Sequence, residues 1–320
     1  MLKNDYIYIA ACDIDGGIYR YKMDEEKITF VDKTSVELPM YFYIENDKFY
    51  TILRNPNGQE NSGVVCFDIK NDGALRNMQD LGTTSGAAGC HLSVSNGDVY
   101  VANYLSGNVS KLGKKIVSHS GVGVNLPRQN SAHCHFAGLT PDEKYVLVCD
   151  LGLDTIFTYD LNLNLVSTAK VPLGYGCRHL AFSDDGKLVY CVNELISSVT
   201  VFRYNDGELY ALDTYKAIPD DYNGPVNTAA AIRVDRGYVY VSNRGHDSIA
   251  VFKINGEKLE NAEYFYCEGE GPRDININGD YLFSTNQNTC DVTVFKIKNG
   301  RLDFINKLDA MPNPLCVVFN

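Results

Sequence analysis

The amino-acid sequence repeats one pattern seven times, and this repeat restricts the possible folds more than any other feature. Each copy is a strand-like run that ends near Asn or Asp, a short polar turn, and a run of β-branched and aromatic residues. Successive copies are about 42 to 50 residues apart, the spacing of repeats that each form one small sheet. The copies read YIYIAACDIDGGIYRYKMD from Tyr6, FYTILRNPNGQENSGVVCFDIK from Phe49, VYVANYLSGNVSKL from Val99, YVLVCDLGLDTIFTYDL from Tyr145, LVYCVNELISSVTVFRY from Leu188, YVYVSNRGHDSIAVFKI from Tyr238 and YLFSTNQNTCDVTVFKI from Tyr281.

The alternation within each copy predicts an all-β fold, a seven-bladed β-propeller of four-stranded antiparallel blades. Turn sequences at residues 141–144 and 184–187 fit hairpins between the first and second strands of a blade. Asp206-Gly207 and Asn255-Gly256 fit the turn before a fourth strand. The content of 22 Tyr and 14 Phe agrees, because aromatic side chains pack well on pleated sheets.

A ring of blades has to close, and the last residues of the chain provide a strand for this. Residues 315–319 follow Pro314 as a lone apolar run with no partner strand beyond it. We expect this run to be the innermost strand of the blade that contains Tyr6, so that the N- and C-terminal segments pair. The alternative is an edge strand packed on the last blade. No linker or composition break divides the chain, so residues 1–320 are predicted to form a single domain, and a closed ring predicts a monomer.

The charge balance and the cysteines limit the partners and the compartment. The formal net charge of -11 argues against binding nucleic acid or an anionic membrane surface. The N-terminal run lacks a signal-peptide pattern, and no stretch is long and apolar enough to cross a membrane, so a cytoplasmic location is expected. The ten cysteines have no metal-like spacing and are interpreted as buried, reduced thiols, with disulfides or zinc as the alternatives.

Alignment of the copies places ionisable side chains at one end of the ring. Cys90, His135, Arg178, Ala230 and Arg273 open the first strands, and Asn193-Glu194 and Asn243-Arg244 end second strands. Because these two strands are antiparallel, the start of one lies beside the end of the other. The expected members of this mouth are His135, Arg178, Glu194, Arg244 and Arg273.

Each of these residues also has a structural interpretation. The Asn or Asp that ends the second strands fits a turn residue bonded to the backbone. Arg178 and Arg244 can form ion pairs with Glu194, or bind inter-blade carbonyls, for stability alone. The pair His133 and His135 can bind zinc, although no third ligand of suitable spacing follows. His119 is interpreted as a solvated loop residue and His246 as one that orders its turn.

At these residues the sequence resembles the seven-bladed lactonase family, which includes the propeller type of 6-phosphogluconolactonase and the fungal carboxymuconate lactonizing enzymes. The resemblance covers essentially the whole chain. It is carried by HCHFAGLTPDEKYVLVCDLGLD from His133, CRHLAFSDDGKLVYCVNELISSVTVF from Cys177, YVSNRGHDSIAVF from Tyr240, GPRDININGDYLFSTNQN from Gly271, GGIYRY from Gly16 and the Pro-Leu-Cys closing strand from Pro314.

The resemblance implies functional roles for His135 (or His133), Arg178, Glu194 and Arg244. Three positions depart from the family pattern. Ala132 and Cys177 stand where relatives often have Pro, and Ala231 stands where many have Glu. The third departure puts any role of that carboxylate in doubt.

Lactone hydrolysis needs an activated water, oxyanion stabilisation and an acid for the leaving alkoxide. His135, with a pKa near neutrality, is the expected general base and Glu194 the rival, whose pKa should fall if it lies between arginines. No metal or other cofactor is expected. The predicted catalytic residues are His135, Glu194, Arg178 and Arg244, and the predicted substrate-binding residues are His133, His179, Arg273, Asn193 and His91.

The predicted partner is a small anionic lactone, because basic groups gather locally on an acidic protein. The resemblance implies 6-phosphoglucono-1,5-lactone, a substrate of the pentose phosphate pathway. A carboxymuconate cycloisomerase, a lactonase for another sugar acid and a non-catalytic binding scaffold remain open.

Overall fold

The protein is described by a computed structural model that covers residues 5–260, 262–308 and 311–320. Its strands form seven antiparallel sheets that follow one another along the chain. The first blade contains β1 (Tyr6–Ala11), β2 (Gly17–Asp24) and β3 (Lys27–Thr34), and the second contains β4 (Pro39–Glu45), β5 (Lys48–Leu53), β6 (Gly63–Ile69) and β7 (Leu75–Thr83). The third contains β8 (Gly89–Ser95), β9 (Asp98–Asn103), β10 (Asn108–Lys111) and β11 (Lys115–Ser118). The fourth contains β12 (Cys134–Leu139), β13 (Tyr145–Asp150), β14 (Thr155–Asp160) and β15 (Leu165–Lys170).

The remaining three blades repeat the same arrangement, except that the outer edge of the sixth is in two pieces, both paired with the third strand. The fifth blade contains β16 (Cys177–Phe182), β17 (Leu188–Asn193), β18 (Ser198–Asn205) and β19 (Glu208–Lys216), and the sixth contains β20 (Thr228–Asp235), β21 (Tyr238–Arg244), β22 (Ser248–Asn255), β23 (Lys258–Leu259) and β24 (Glu263–Tyr266). The seventh contains β25 (Pro272–Asn278), β26 (Tyr281–Asn286), β27 (Asp291–Lys298) and β28 (Arg301–Leu308). The last strand, β29 (Pro314–Phe319), belongs to the first blade.

The seven repeats of the sequence are the second strands of the seven blades, each with the following turn and third strand. The predicted hairpin turns at 141–144 and 184–187 join first to second strands, as expected. The loop between β5 and β6 contains a 3-10 turn, Pro56–Gly58. No helix in the described ranges is long and apolar enough to cross a bilayer.

The predicted closure of the ring is confirmed. β29 pairs with β1 in antiparallel register, with Val317 opposite Ile9, and so supplies the first strand of the first blade. The first strands of neighbouring blades contact one another around a closed circle. Both ends of the chain therefore share one sheet, and the first blade has four strands like its neighbours.

A β-bulge recurs near the start of the first strand in every blade. In the fourth blade Cys134 lies opposite Asp150 and Phe136 opposite Cys149, so His135 is the inserted residue. A bulge leaves one or two residues outside the ladder and redirects side chains. The inserted residues around the ring are Leu315, Met40 with Tyr41, Cys90, His135, Arg178, Ala230 with Ala231, and Arg273.

Aromatic side chains on the second strands pack neighbouring blades together. Tyr8, Tyr100, Tyr190, Tyr240 and Phe283 occupy the same strand position in their blades and are almost fully buried. The hydroxyl of Tyr8 donates to the carbonyl of Gly73 at 2.7 Å, in the outer hairpin of the next blade. Burial of such a side chain stabilises the fold by roughly 1.5–3 kcal/mol, so this row of rings holds the blades side by side.

Tyr8 and Tyr190 occupy equivalent strand positions, but loss of the hydroxyl should change the free energy of unfolding differently at the two sites. Tyr8→Phe removes a buried hydrogen bond and should lower the free energy of unfolding by about 1 kcal/mol. The Tyr190 hydroxyl is buried with no hydrogen-bond partner in the part of the chain that the structure describes, so Tyr190→Phe should be neutral or stabilising. Urea unfolding of both variants measures the difference, and equal losses would contradict the assignment.

Candidate active site

A polar cavity of about 250 Å³ opens at the end of the ring where the first strands begin. Inserted residues of the bulges form much of its wall, and the rest comes from the ends of second strands and from the loop before β12. Four arginines and one glutamate supply its charge. The lining residues are Met40, Arg54, Ala88, Cys90, Tyr104, Arg128, His135, Glu194, Thr228, Arg244 and Arg273.

Glu194 is the centre of an ion cluster on one side of this cavity. Its Oε2 lies 2.9 Å from Arg178 Nε and 3.1 Å from Arg244 Nη2. Its Oε1 accepts a hydrogen bond of 2.5 Å from Arg128 Nη2. Arg178 also donates through Nη1 to the carbonyl of Ala230 in the next blade, at 2.7 Å. Both oxygens of the carboxylate are thus occupied, and the predicted alternative of ion pairs and an inter-blade carbonyl contact is present.

The arginines keep Glu194 ionised. Burial alone would raise its pKa, but the charges of Arg244, Arg178 and Arg128 outweigh this and hold the pKa well below its usual range. Burial, followed by the nearby Arg244, lowers the pKa of Arg178 to about 10, and Glu194 opposes that fall. The depressed pKa expected for a glutamate between arginines is confirmed, and this makes Glu194 a weak base.

Arg54 and Arg273 line the same cavity but differ from the other arginines. Neither guanidinium forms a hydrogen bond or ion pair with any residue in the described ranges. Both side chains are half-buried. Burial, with the charges of Arg178 and Arg244, lowers the pKa of Arg273 to about 9. These two groups are the cations of the cavity that remain available to a ligand.

His135 reaches the cavity because it is the inserted residue of its bulge. It is 6% exposed, and its Nδ1 has no hydrogen-bond partner among the described residues. Burial, and then the charge of Arg178, lower the pKa of His135 well below its ordinary value. The expectation of a pKa near neutrality is therefore wrong, since the bulge directs the ring into a buried, cationic setting.

A second layer of side chains closes the axial channel beneath the cavity. It surrounds a space of only about 10 Å³, lined in part by Arg178, His179 and Asp274. The rings of His91 and His179 are 5.3 Å apart, and burial keeps both neutral by lowering their pKa values, that of His91 to about 3. His91 lies 3.0 Å through Nδ1 from the carbonyl of Ala137. These histidines are packed aromatic groups in a space too small for a sugar.

Two other predicted binding residues also lie behind the cavity wall. His133 stacks on Tyr104 with ring centroids 4.4 Å apart, and its Nδ1 lies 3.0 Å from the Tyr104 carbonyl oxygen. Asn193 is fully buried and donates to Ser198 and Thr200 on the next strand. His133, Asn193 and His91 therefore contact protein groups and do not line the cavity. Of the predicted site residues, the structure places His135, Glu194, Arg244 and Arg273 at the cavity wall. Arg178 and His179 lie beneath it.

The recurring Asn at the strand ends has the structural role expected, but mostly through other partners. Asn193 and Asn286 each bind the first and third residues of the following strand through their side chains rather than through the backbone. Asp150 instead accepts from the backbone N–H groups of His133 and Gly152. His246 lies 2.6 Å from Ser248 Oγ and does not line the cavity, which fits its expected role in the turn.

The prediction that His119 is solvated is wrong. Its side chain is 3% exposed and lies 2.7 Å from Asp150 Oδ2 and 2.7 Å from the Tyr159 hydroxyl. The ring packs on Phe157 of the fourth blade, although His119 directly follows the last strand of the third. Cys134 Sγ lies 3.3 Å from His119 Nδ1, so His119, Cys134 and Asp150 are the group in the described ranges whose donor atoms could hold a metal ion. The hydrogen bonds within the group already account for these side chains, and His133 and His135 belong to no such group of ligands among the described residues.

A larger cavity of about 370 Å³ lies between the first and second blades. Its charged side chains are Glu37 and Asp80, both acidic. An anionic ligand would be repelled there, so this cavity does not compete with the arginine-lined one as a site for the predicted substrate.

Arg54 and Arg128 are the main residues that the sequence interpretation missed. Arg54 directly follows β5 just as Glu194 follows β17, so alignment of the second blade would have found it. That blade ends its second strand with Leu53 instead of Asn, which hid the correspondence. Arg128 comes from the loop before β12, and no repeat position marks it.

The fold and the cavity define the class of this protein: a closed seven-bladed β-propeller whose mouth holds a cationic cavity. The chain belongs to the family described as Lactonase, 7-bladed beta-propeller, whose model matches residues 6–319.

Known proteins of similar sequence and structure extend this result. An uncharacterised protein of Lactococcus lactis is 35% identical over 336 residues, covering 95% of this chain and 96% of that one. A crystal structure from Lactobacillus plantarum has a TM-score of 0.88 at 28% identity, covering 99% of both chains. A candidate 6-phosphogluconolactonase of Bacteroides fragilis has a TM-score of 0.88 at 27% identity, covering 99% of this chain and 98% of that one.

Loss of the Glu194 charge should destabilise the protein by leaving buried arginines without their counter-ion. Glu194→Gln is expected to lower the free energy of unfolding at pH 7 by about 3 kcal/mol. Because folding lowers the pKa of Glu194, its contribution is present above the unfolded value of about 4.3 and is lost as the pH falls through the folded one. The gap between variant and wild type should therefore narrow only below about pH 4.

Denaturant unfolding across pH 3 to 8 measures this gap. Glu257→Gln is the matched control, because Glu257 forms an exposed ion pair with Arg203 and should matter little. A Glu194→Gln variant as stable as that control would show that Glu194 does not support the arginines.

Proposed function

We propose that this protein hydrolyses an anionic sugar lactone, with 6-phosphoglucono-1,5-lactone as the substrate. The observation that supports this proposal is the charge of the cavity: four arginines against one glutamate on a protein of net charge -11. A local cationic site on an acidic surface attracts a small anion. Family membership and the likeness to the Bacteroides fragilis protein supply the reaction class and the candidate substrate.

In the proposed mechanism, neutral His135 accepts a proton from a water molecule as that water attacks the lactone carbonyl carbon. The tetrahedral intermediate then collapses by breaking the bond to the ring oxygen. The imidazolium of His135 returns the proton to the leaving alkoxide, so the products are the open hydroxy acid and the regenerated enzyme. A base of lowered pKa is adequate, because a δ-lactone is an activated ester that opens slowly in water by itself.

Arginines would stabilise the negative charge that develops on the carbonyl oxygen. Arg244 lines the cavity beside Glu194, and its position is fixed by that ion pair. A preorganised donor costs little reorganisation during the reaction, which is why such groups contribute strongly to catalysis. Glu194 is then a positioning residue for Arg178 and Arg244, since both of its oxygens are occupied.

A purely structural scaffold would not need this arrangement. Such a propeller can have an apolar or filled mouth, whereas this cavity gathers five charged side chains, namely those of Arg54, Arg128, Glu194, Arg244 and Arg273. Bringing like charges together costs stability that a ligand of opposite charge would offset. The cost supports a binding or catalytic role for the mouth.

Replacement of His135 should abolish most of the catalysis. His135→Ala is expected to lower kcat for 6-phosphoglucono-1,5-lactone by about 100-fold or more, because general base catalysis contributes that much. His246→Ala is the matched control, as His246 lies outside the cavity. The rates are corrected for spontaneous opening and measured with and without EDTA, so that a metal requirement would be visible.

Two outcomes would contradict the proposal. Wild-type protein that opens the lactone no faster than buffer would exclude this substrate, and activity with carboxymuconate would then point to the cycloisomerase reaction. Full activity of His135→Ala would exclude His135 as the base.

The lowered pKa of His135 also predicts the pH dependence. A histidine of ordinary pKa, about 6.5, would lose roughly fourfold of its neutral form between pH 7.5 and 6. His135 stays neutral over that range, so kcat/KM should not fall. Unphosphorylated glucono-1,5-lactone is the substrate for this measurement, because a phosphate group titrates near pH 6 itself. A fourfold decline would mean that His135 is more basic than its surroundings allow.

A further inference from the structure

The charges of the cavity are divided between two sides. On one side Glu194, from the fifth blade, is bound by Arg128, Arg178 and Arg244. On the other side Arg54 follows β5 of the second blade, and Arg273 is the inserted residue of β25 in the seventh blade. The arginines of the second side have no acidic partner in the described part of the chain.

Arg54 and Arg273 flank the first blade, because the second and seventh blades are its neighbours in the ring. The wall beside them is uncharged: Met40 comes from the second blade and Cys90 from the third, and Leu315 of the first blade lies just beneath. Both guanidiniums line the same cavity of about 250 Å³, so a single small ligand bound over the first blade can contact both.

Two free guanidiniums fit a phosphate better than a carboxylate. Each is a planar fork that can donate two parallel N–H groups to oxygens of one anion. A phosphate monoester presents three acceptor oxygens and up to two negative charges, whereas a carboxylate offers two oxygens and one charge. One carboxylate would leave one of the arginines without a full partner.

We propose that Arg54 and Arg273 form a phosphate subsite over the first blade. This inference rests on the proposed lactonase function and adds the orientation of the substrate. The phosphate lies between the second and seventh blades, and the lactone carbonyl points across the cavity toward His135, Arg244 and the Glu194 cluster. Arg54 is then a specificity-determining residue for phosphorylated substrates.

The subsite is tested by comparing 6-phosphoglucono-1,5-lactone with unphosphorylated glucono-1,5-lactone. Arg54→Gln should lower the preference for the phosphorylated lactone, the ratio of the two kcat/KM values, by about 10- to 100-fold, mainly through KM. Arg273→Gln should act in the same direction. Arg54→Lys keeps the charge without the fork and should retain part of the preference. Arg76→Gln, an exposed arginine of the same blade, is the matched control and should keep it.

Inorganic phosphate provides a second test that does not depend on catalysis. Calorimetric titration should show binding to wild type, at least tenfold weaker binding to Arg54→Gln, and no change in Arg76→Gln. A wild-type protein that binds phosphate through Arg54 but opens neither lactone would keep the subsite and remove the lactonase function. An active protein whose Arg54→Gln variant keeps its preference would remove the subsite, as would acetate binding as tightly as phosphate.

Discussion

The bulge that opens the first strand of each blade is the constraint on which the site depends. A regular strand at this place would alternate its side chains between the two neighbouring blades. The inserted residue breaks this alternation and turns a side chain toward the axis, as with His135 and Arg273. A bulge also removes backbone groups from the ladder, and side chains replace some of these bonds. Arg178 donates to the carbonyl of Ala230, and Ser242 Oγ accepts the N–H of Ala231. The mouth is therefore formed at a β-bulge that recurs in every blade, and side chains supply some of the hydrogen bonds that the bulge removes from the ladder.

The second constraint is the charge that these bulges bring together. Arg178 is among the largest fully buried side chains of the protein, and a lone buried guanidinium would be very unfavourable. Glu194 makes its burial possible, and its low pKa shows that the arginines in turn hold the carboxylate ionised. The cluster of three arginines and one glutamate is thus a fixed wall of net positive charge rather than a proton donor. This leaves His135 as the histidine that faces the cavity, and Arg54 with Arg273 as the lining arginines that have no counter-ion among the described residues.

The fold could be predicted from the sequence because the strand, turn and strand pattern of a blade recurs seven times along the chain. The second strands, the hairpin turns and the closing strand after Pro314 all lie where the repeats placed them. The mouth position of His135, Glu194, Arg244 and Arg273 also followed from the repeat, whereas Arg178 lies beneath the cavity wall. Their electrostatics did not, because burial depends on neighbouring blades that a single repeat cannot show. The prediction that His119 is solvated was wrong for a related reason. Its loop is polar in sequence, but the ring is buried against Phe157 of the neighbouring blade. Arg54 was missed where one blade lacks the usual Asn.

The frame and the chemistry of this protein are therefore separable. Packing between blades rests on the second strands, whose aromatic residues, such as Tyr8 and Phe283, lie away from the cavity wall. The chemistry rests on residues inserted at the bulges, such as His135 and Arg273, and on charged residues at the ends of second strands, such as Glu194 and Arg244. A substitution at a bulge changes what the mouth can bind without touching the inter-blade rows of rings. Charge is distributed unevenly around the ring. The arginines of the fifth and sixth blades pair with Glu194, whereas the arginines that flank the first blade have no acidic partner among the described residues. This difference defines a direction across the cavity. A substrate with one anionic end and one reactive carbonyl is favoured in one orientation, because Arg54 and Arg273 have no counter-ion among the described residues, whereas the arginines of the other side share Glu194.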